Sequence, residues 1–124
     1  MIFLEVVIQM ELLKEEELFL SKGELSGNLE NNKLSFTYDN MEHRIFFSKE
    51  ELIFQRENNE YLFELRIKEE PECAFLLKET NTLLDIHVEN ANFMLSDHKI
   101  DFEYCIETDD QLNEVIITWQ EKEG

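Results

Sequence analysis

Hydrophobic and polar positions alternate with a period of two along nearly the whole chain. Ile2, Leu4, Val6, Ile8 and Met10 fall on one side of the first segment, with Glu5, Gln9 and Glu11 on the other, which predicts a long β-strand over Ile2 to Leu12. Lys14-Glu15-Glu16-Glu17 reads as a charged turn, although Leu12 to Phe19 is also compatible with a short isolated helix. Leu18 to Leu25 makes a second strand in which Gly23 marks a bulge or bend. Gly27-Asn28-Leu29-Glu30-Asn31-Asn32 is the clearest loop in the chain. Leu34, Phe36 and Tyr38 then alternate with Ser35 and Thr37, and a turn near Asn40-Met41 returns the chain through His43-Arg44-Ile45-Phe46-Phe47. A two-residue loop there sets Tyr38 opposite His43 and Phe36 opposite Ile45. It also sets Asp39 opposite Glu42, which is unfavourable and leaves room for a longer loop.

The central hairpin is the best-defined unit. Glu51-Leu52-Ile53-Phe54-Gln55-Arg56-Glu57 and Glu60-Tyr61-Leu62-Phe63-Glu64-Leu65-Arg66-Ile67 flank Asn58-Asn59, and Asn tolerates the positive φ of a tight reversal. With the turn centred there, Arg56 faces Tyr61, Phe54 faces Phe63 and Leu52 faces Leu65 on an apolar side. Gln55 with Leu62, Ile53 with Glu64 and Glu51 with Arg66 form a mixed side. Arg56 is the exception, a cation on the apolar face.

Lys68-Glu69-Glu70-Pro71 closes one end. Cys73 to Glu79 is an apolar strand whose inward face the pattern leaves open, and Thr80-Asn81-Thr82 turns it into Leu84 to Glu89. A turn at Asp97-His98 pairs Leu95 with Ile100 and Phe93 with Phe102. That register brings Glu89 against Ile106, a mismatch of faces that predicts a bulge within Glu89 to Asn92. Ile100, Phe102, Tyr104 and Ile106 alternate with polar neighbours, and Thr108-Asp109-Asp110-Gln111 leads into Val115-Ile116-Ile117-Thr118-Trp119. About ten short strands with hairpin-length connections predict an all-β chain, a single antiparallel meander. A meander of this length closes into a β-barrel, which removes exposed edges.

Composition narrows the picture. The 124 residues, 43% of them hydrophobic with ten Phe, suit one domain spanning 1–124 with a core that needs neither metal nor disulfide. Three Gly and one Pro argue against a disordered linker. The net charge of −18, from 29 acidic and 11 basic residues, excludes nucleic acid as a partner and makes an anionic membrane repulsive. It favours solubility and leaves a basic protein or cationic ligand as the complementary partner. Cys73 and Cys105 lack metal-ligand or CxxC spacing, so a reduced pair with at least one member buried is expected. The apolar start, Met1 to Glu11, has no cationic lead and no small-residue cleavage site and is interrupted by Glu5 and Gln9. It is therefore not a signal peptide. No segment is apolar for long enough to span a bilayer, and the expected location is cytoplasmic.

Asn32-Lys33-Leu34-Ser35-Phe36-Thr37-Tyr38, Glu51-Leu52-Ile53-Phe54-Gln55-Arg56 and Lys99-Ile100-Asp101-Phe102-Glu103-Tyr104, in this order, resemble the YwiB-like family of uncharacterised bacterial proteins. The resemblance implies a lipocalin-like (calycin-type) β-barrel of about 8–10 strands, a bacterial cytosolic setting and no established activity. Where that family tends to place Gly two residues after the arginine, this chain has Asn58, which also suits a turn.

Strand direction alternates in a meander, so the turns at Asn40-Met41, Asn58-Asn59 and Thr80-Asn81-Thr82 share one end. Tyr38, His43, Arg56 and Tyr61 lie beside the first two and face inward, gathering a guanidinium, an imidazole and two phenols at one rim. Such a cationic mouth suits the carboxylate or phosphate head of an amphipathic ligand held in the lumen. The competing reading is structural: Arg56 stacks on a tyrosine and plugs the end. Phe36, Phe47, Phe54, Phe63 and Phe102 would largely fill a small barrel. Trp119 lies about seven residues beyond Leu112, or roughly 20 Å from that rim at about 3.3 Å per residue, which places it in the core near the opposite end.

Asp85, His87 and Glu89, and Asp101, Glu103 and Glu107 on the next strand, have no specific metal spacing and read as a solvated outer face. No nucleophile, phosphate loop or activated cysteine is visible, and no cofactor is implied. The leading expectation is a non-enzymatic protein that binds a small amphipathic anion through Arg56, Tyr38, His43 and Tyr61. One alternative is an acidic interaction module for a basic protein. The other is an enzyme working in the barrel mouth with His43 as base.

Overall fold

The computed structural model describes residues 3–122, so Ile2, placed above with the apolar side of the first strand, lies outside the described residues. Eleven strands follow in chain order: β1 (Phe3–Lys14), β2 (Glu17–Glu30), β3 (Lys33–Tyr38), β4 (Met41–Phe47), β5 (Leu52–Glu57), β6 (Tyr61–Ile67), β7 (Glu72–Leu77), β8 (Thr82–Ile86), β9 (Val88–Ser96), β10 (Lys99–Ile106) and β11 (Asp109–Glu121). All belong to one antiparallel sheet ordered β8-β7-β6-β5-β4-β3-β2-β1-β11-β10-β9, in which β11 returns to pair with β1. The result is a nearly closed meander barrel, as the alternation predicts.

The helix considered over Leu12 to Phe19 does not form. Glu15 and Glu16 take φ of 49° and 67° and reverse the chain, which is the backbone twist a tight hairpin requires. Gly27 to Glu30 is not a loop either: β2 continues through it, and only Asn31-Asn32 turn. Gly27 sits between Val6 of β1 and Phe36 of β3. A Cβ there would run into Ile8 Cδ1 and lie 2.6 Å from the Ser35 carbonyl oxygen, so the glycine serves close strand approach rather than flexibility. The bulge expected at Gly23 is present, with Gly23 and Glu24 set against Gln9. The positive φ, 58°, falls on Glu24 rather than on the glycine.

Two hairpin tips differ from expectation by one residue. Between β3 and β4 the turn is Asp39-Asn40, both in the left-handed region (φ 55° and 59°), so Tyr38 pairs with Met41 and Phe36 with His43. Asp39 thereby leaves the ladder and its clash with Glu42 disappears. Between β5 and β6 neither Asn58 nor Asn59 has positive φ. Asn58 Oδ1 instead accepts from the Glu60 N–H (2.8 Å) and the Tyr61 N–H (3.0 Å). Arg56 therefore pairs with Phe63, Phe54 with Leu65 and Leu52 with Ile67. Because partners slip by two positions and side chains alternate with period two, every side chain keeps its face. The Asp97-His98 turn and the pairs Leu95–Ile100 and Phe93–Phe102 are as predicted, and so is the bulge, which falls at Glu89.

The inward positions of all the long strands meet in one core. Ile8, Leu34, Ile45, Leu52, Leu65, Ile100, Phe102 and Ile117 are fully buried, and Cys73 of β7 is buried beside them. Phe54 packs at 5.0 Å from Phe102 and 6.3 Å from Phe63, centroid to centroid, so aromatic rings fill the middle of the barrel. Trp119 is buried near the end opposite Arg56, against Phe47 (6.0 Å) and His98 (5.8 Å).

Candidate functional site

The rim that carries Arg56 holds a cavity of about 260 Å³. β5 contributes Arg56 and Phe54, β4 contributes His43, and β3 contributes Tyr38. From the far wall come Tyr104 of β10 and Asn113 of β11. The register makes His43 and Arg56 direct cross-strand partners, so an imidazole and a guanidinium stand side by side at the floor of this mouth.

Three of the four residues singled out in the sequence converge here. Tyr61 does not: its ring stacks on Phe75 (4.6 Å) and its hydroxyl donates to Met41 Sδ (3.7 Å). The cause is the hairpin slip, which replaces Tyr61 by Phe63 as the partner of Arg56. Tyr104, Asn113 and Asp109 were missed as site residues. Tyr104 and Asn113 were readable in principle, as polar groups in phase with Phe102 and Val115 on otherwise apolar inward faces.

Arg56 is the unusual group. Arg44 pairs with Glu42 (2.9 Å) and Glu57 (2.6 Å), and Arg66 lies 3.4 Å from Glu51. Arg56 has no carboxylate within ion-pair distance among the described residues, in a chain carrying 29 acidic residues. Its guanidinium carbon lies 5.0 Å from the Phe63 ring centroid and 5.8 Å from that of Phe54, within cation–π range. Its Nε–H is buried and has no acceptor. A buried unsatisfied donor costs about 1–3 kcal/mol, and Trp119 Nε1 at the opposite end is a second donor of this kind.

The field of Arg56 reaches its neighbours. Burial, aided by Arg56, pushes the His43 imidazole down to about 4, against a weaker opposing pull from the Met41 carbonyl. His43 is therefore neutral near pH 7. Its Nδ1 lies 3.2 Å from the Met41 carbonyl oxygen, which only accepts, so Nδ1 carries the proton and Nε2 is a free acceptor. The ring is fixed by parallel stacking on Phe36 at 4.8 Å. Burial also raises Tyr104, and it lifts the Cys73 thiol to about 11; Arg56 opposes both shifts. Cys73 is thus an unreactive thiol. The mouth combines a cation with a spare donor, a neutral base with a spare acceptor, and phenol and amide groups set in apolar walls.

Elsewhere the acidic residues act locally. On the outer wall the Glu107 carboxylate accepts from the His87 N–H (2.9 Å), and Glu89 accepts from the Cys105 thiol (3.4 Å). Among the described residues no three His, Cys, Asp or Glu side chains are grouped to hold a metal ion.

Among solved structures, the chain superposes on the crystal structure of the ywiB protein from Bacillus subtilis with a TM-score of 0.55, covering 98% of this chain and 92% of that one. The fold is YwiB-like. At 12% sequence identity the likeness concerns architecture alone. Neither a family model nor a curated protein matches the sequence.

Proposed function

We propose that this chain is a YwiB-like binding barrel that holds a small amphipathic anion at the Arg56 mouth, without covalent chemistry. The observation that carries the reading is the unpaired guanidinium with its buried, acceptorless Nε–H, opening onto a cavity with apolar walls. An anionic head would neutralise the unpaired charge, and hydrogen bonds to a charged group are the strong ones. Tyr38 supplies a further donor and His43 Nε2 accepts from a ligand hydroxyl, whereas the Asn113 amide is already spent on the Asp109 carboxylate and the Gln111 carbonyl (both 3.2 Å). The volume of about 260 Å³ is below the roughly 300–1,000 Å³ of pockets for drug-sized ligands. The ligand class is accordingly a short-chain or aromatic carboxylate rather than a long-chain lipid. Asp39 and Asp109 at the rim disfavour multiply charged anions.

Calorimetric titration with benzoate and hexanoate tests this on the wild type and on Arg56→Met. Binding to the wild type and at least tenfold weaker binding to the variant are expected. The ligand-free variant should be more stable by about 1 kcal/mol, because methionine removes a buried unsatisfied donor. Absence of binding to the wild type, together with a destabilised variant, would leave Arg56 as a structural plug.

A further inference from the structure

β8 and β9 are separated only by His87, yet they stand at opposite ends of the strand order. At His87 the gap is bridged: the Glu107 N–H donates to the His87 carbonyl (3.0 Å), and the His87 N–H donates to the Glu107 carboxylate (2.9 Å). Beyond His87 toward the mouth, β8 pairs with β7 alone.

Which backbone groups of β8 are left over follows from the ladder. The Lys78 N–H donates to the Glu60 carbonyl (2.9 Å), making that a bonded pair at the end of β6–β7. Bonded and non-bonded pairs alternate in an antiparallel ladder, so Leu76 and Ala74 aim their backbone at β6 while Leu77, Phe75 and Cys73 aim at β8. Their partners there are Thr82, Leu84 and Ile86. The N–H and C=O of Leu83 and Asp85 therefore point away from the sheet, on the side where His87 meets Glu107.

Such an edge is usually blunted by proline, lysine or a bulge, and β8 has none of these. Around it the surface is apolar and acidic. Leu83 is 62% exposed and Leu84 46%, and Leu77 is also exposed on the paired strand. On the outer face beside β8, Glu64, Glu72 and Asp85 line a groove of about 460 Å³. Lys68 contacts Glu72, but Asp85 has no cation within ion-pair distance among the described residues.

We propose that the outer edge of β8 is a docking strand for an extended segment of another protein in which apolar residues alternate with Lys or Arg. Main-chain bonds to Leu83 and Asp85 would extend the sheet; the apolar positions, on the inner face, would cover Leu84, and the cations, on the outer face, would pass Leu83 into the acidic groove. A second copy of this chain is the wrong occupant, because it brings another −18 and places Asp85 near its own copy. The edge lies apart from the mouth cavity, and this inference does not rest on the anion reading.

The test uses the full chain with three synthetic heptapeptides: alternating Lys-Val, the same with a central Pro, and alternating Glu-Val. The Lys-Val peptide alone should bind, more weakly as salt rises, and should slow amide exchange at Leu83 and Asp85 at least tenfold. Asp85→Pro removes an outward N–H together with one groove carboxylate, leaves the β7–β8 ladder bonds in place, and should abolish binding. Should that variant misfold, Asp85→Lys should still weaken binding about fivefold, the scale of one surface charge contact. Equal binding of the proline peptide, unchanged exchange at Leu83 and Asp85, or a dimer in sedimentation that buries Leu83 would overturn the proposal.

Discussion

At the scale of residues, His43 shows how burial and one neighbour decide a group's state. Its folded value of about 4 lies below the roughly 6.5 of an unfolded chain, so between these pH values the unfolded state binds the extra proton. Stability from this site is fully present above about pH 6.5 and is lost as pH falls toward 4, with a magnitude on the order of 2–3 kcal/mol. Glu114 acts in the opposite sense: Asp101 beside it, with partial burial, raises its carboxyl to about 7. That pair favours the folded state as pH falls through 7. Urea unfolding of the wild type and His43→Phe at pH 4.5 and 7 separates the two, since phenylalanine keeps the stack on Phe36 and cannot titrate. The variant should lose most of the drop toward pH 4.5; an unchanged drop would assign it to carboxylates.

At the scale of elements, the turns set which side chains meet. Asp39-Asn40 reverses through two left-handed residues, whereas Asn58 uses its side chain to cap the next hairpin, and each tip therefore lies one residue from its sequence-based position. Faces survive such a slip but partners do not, which is why Arg56 was legible as inward-facing and Tyr61 was wrongly grouped with it. Gly27 carries the corresponding constraint in β2, where a loop was expected. Gly27→Ala would drive a methyl against the Ser35 carbonyl, an atom that cannot rotate away, and should destabilise by about 1–3 kcal/mol in thermal or urea unfolding. A neutral effect would mean that β2 and β3 separate there at little cost.

At the scale of the whole molecule, a charge of −18 opposes a compact state, because exposed ion pairs such as Lys68–Glu72 neutralise little of it. Screening shortens the reach of that repulsion to about 8 Å at physiological ionic strength. Raising NaCl from 10 to 150 mM should therefore raise the unfolding temperature by several degrees, read by circular dichroism. A fall instead would show that Arg44–Glu57 and its like outweigh the net repulsion. The YwiB-like barrel tolerates this charge because its aromatic core is continuous from Phe54 through Phe102 to Tyr104.

The antiparallel meander, the inward face of the central hairpins and the bulge at Glu89 follow from local alternation, since a period of two needs no knowledge of distant neighbours. The count of about ten strands falls short of the eleven present, and the pattern does not assign the inward face of β7. What brings Tyr104, Asn113 and Asp109 to Arg56 is the pairing of β11 with β1, a contact between the two ends of the chain. The spare acceptor on His43, the orphaned donor on Arg56 and the unpaired edge of β8 depend on that closure and on hairpin tips placed to a single residue. Local pattern leaves both open, because shifting a partner by two positions changes no side chain's face.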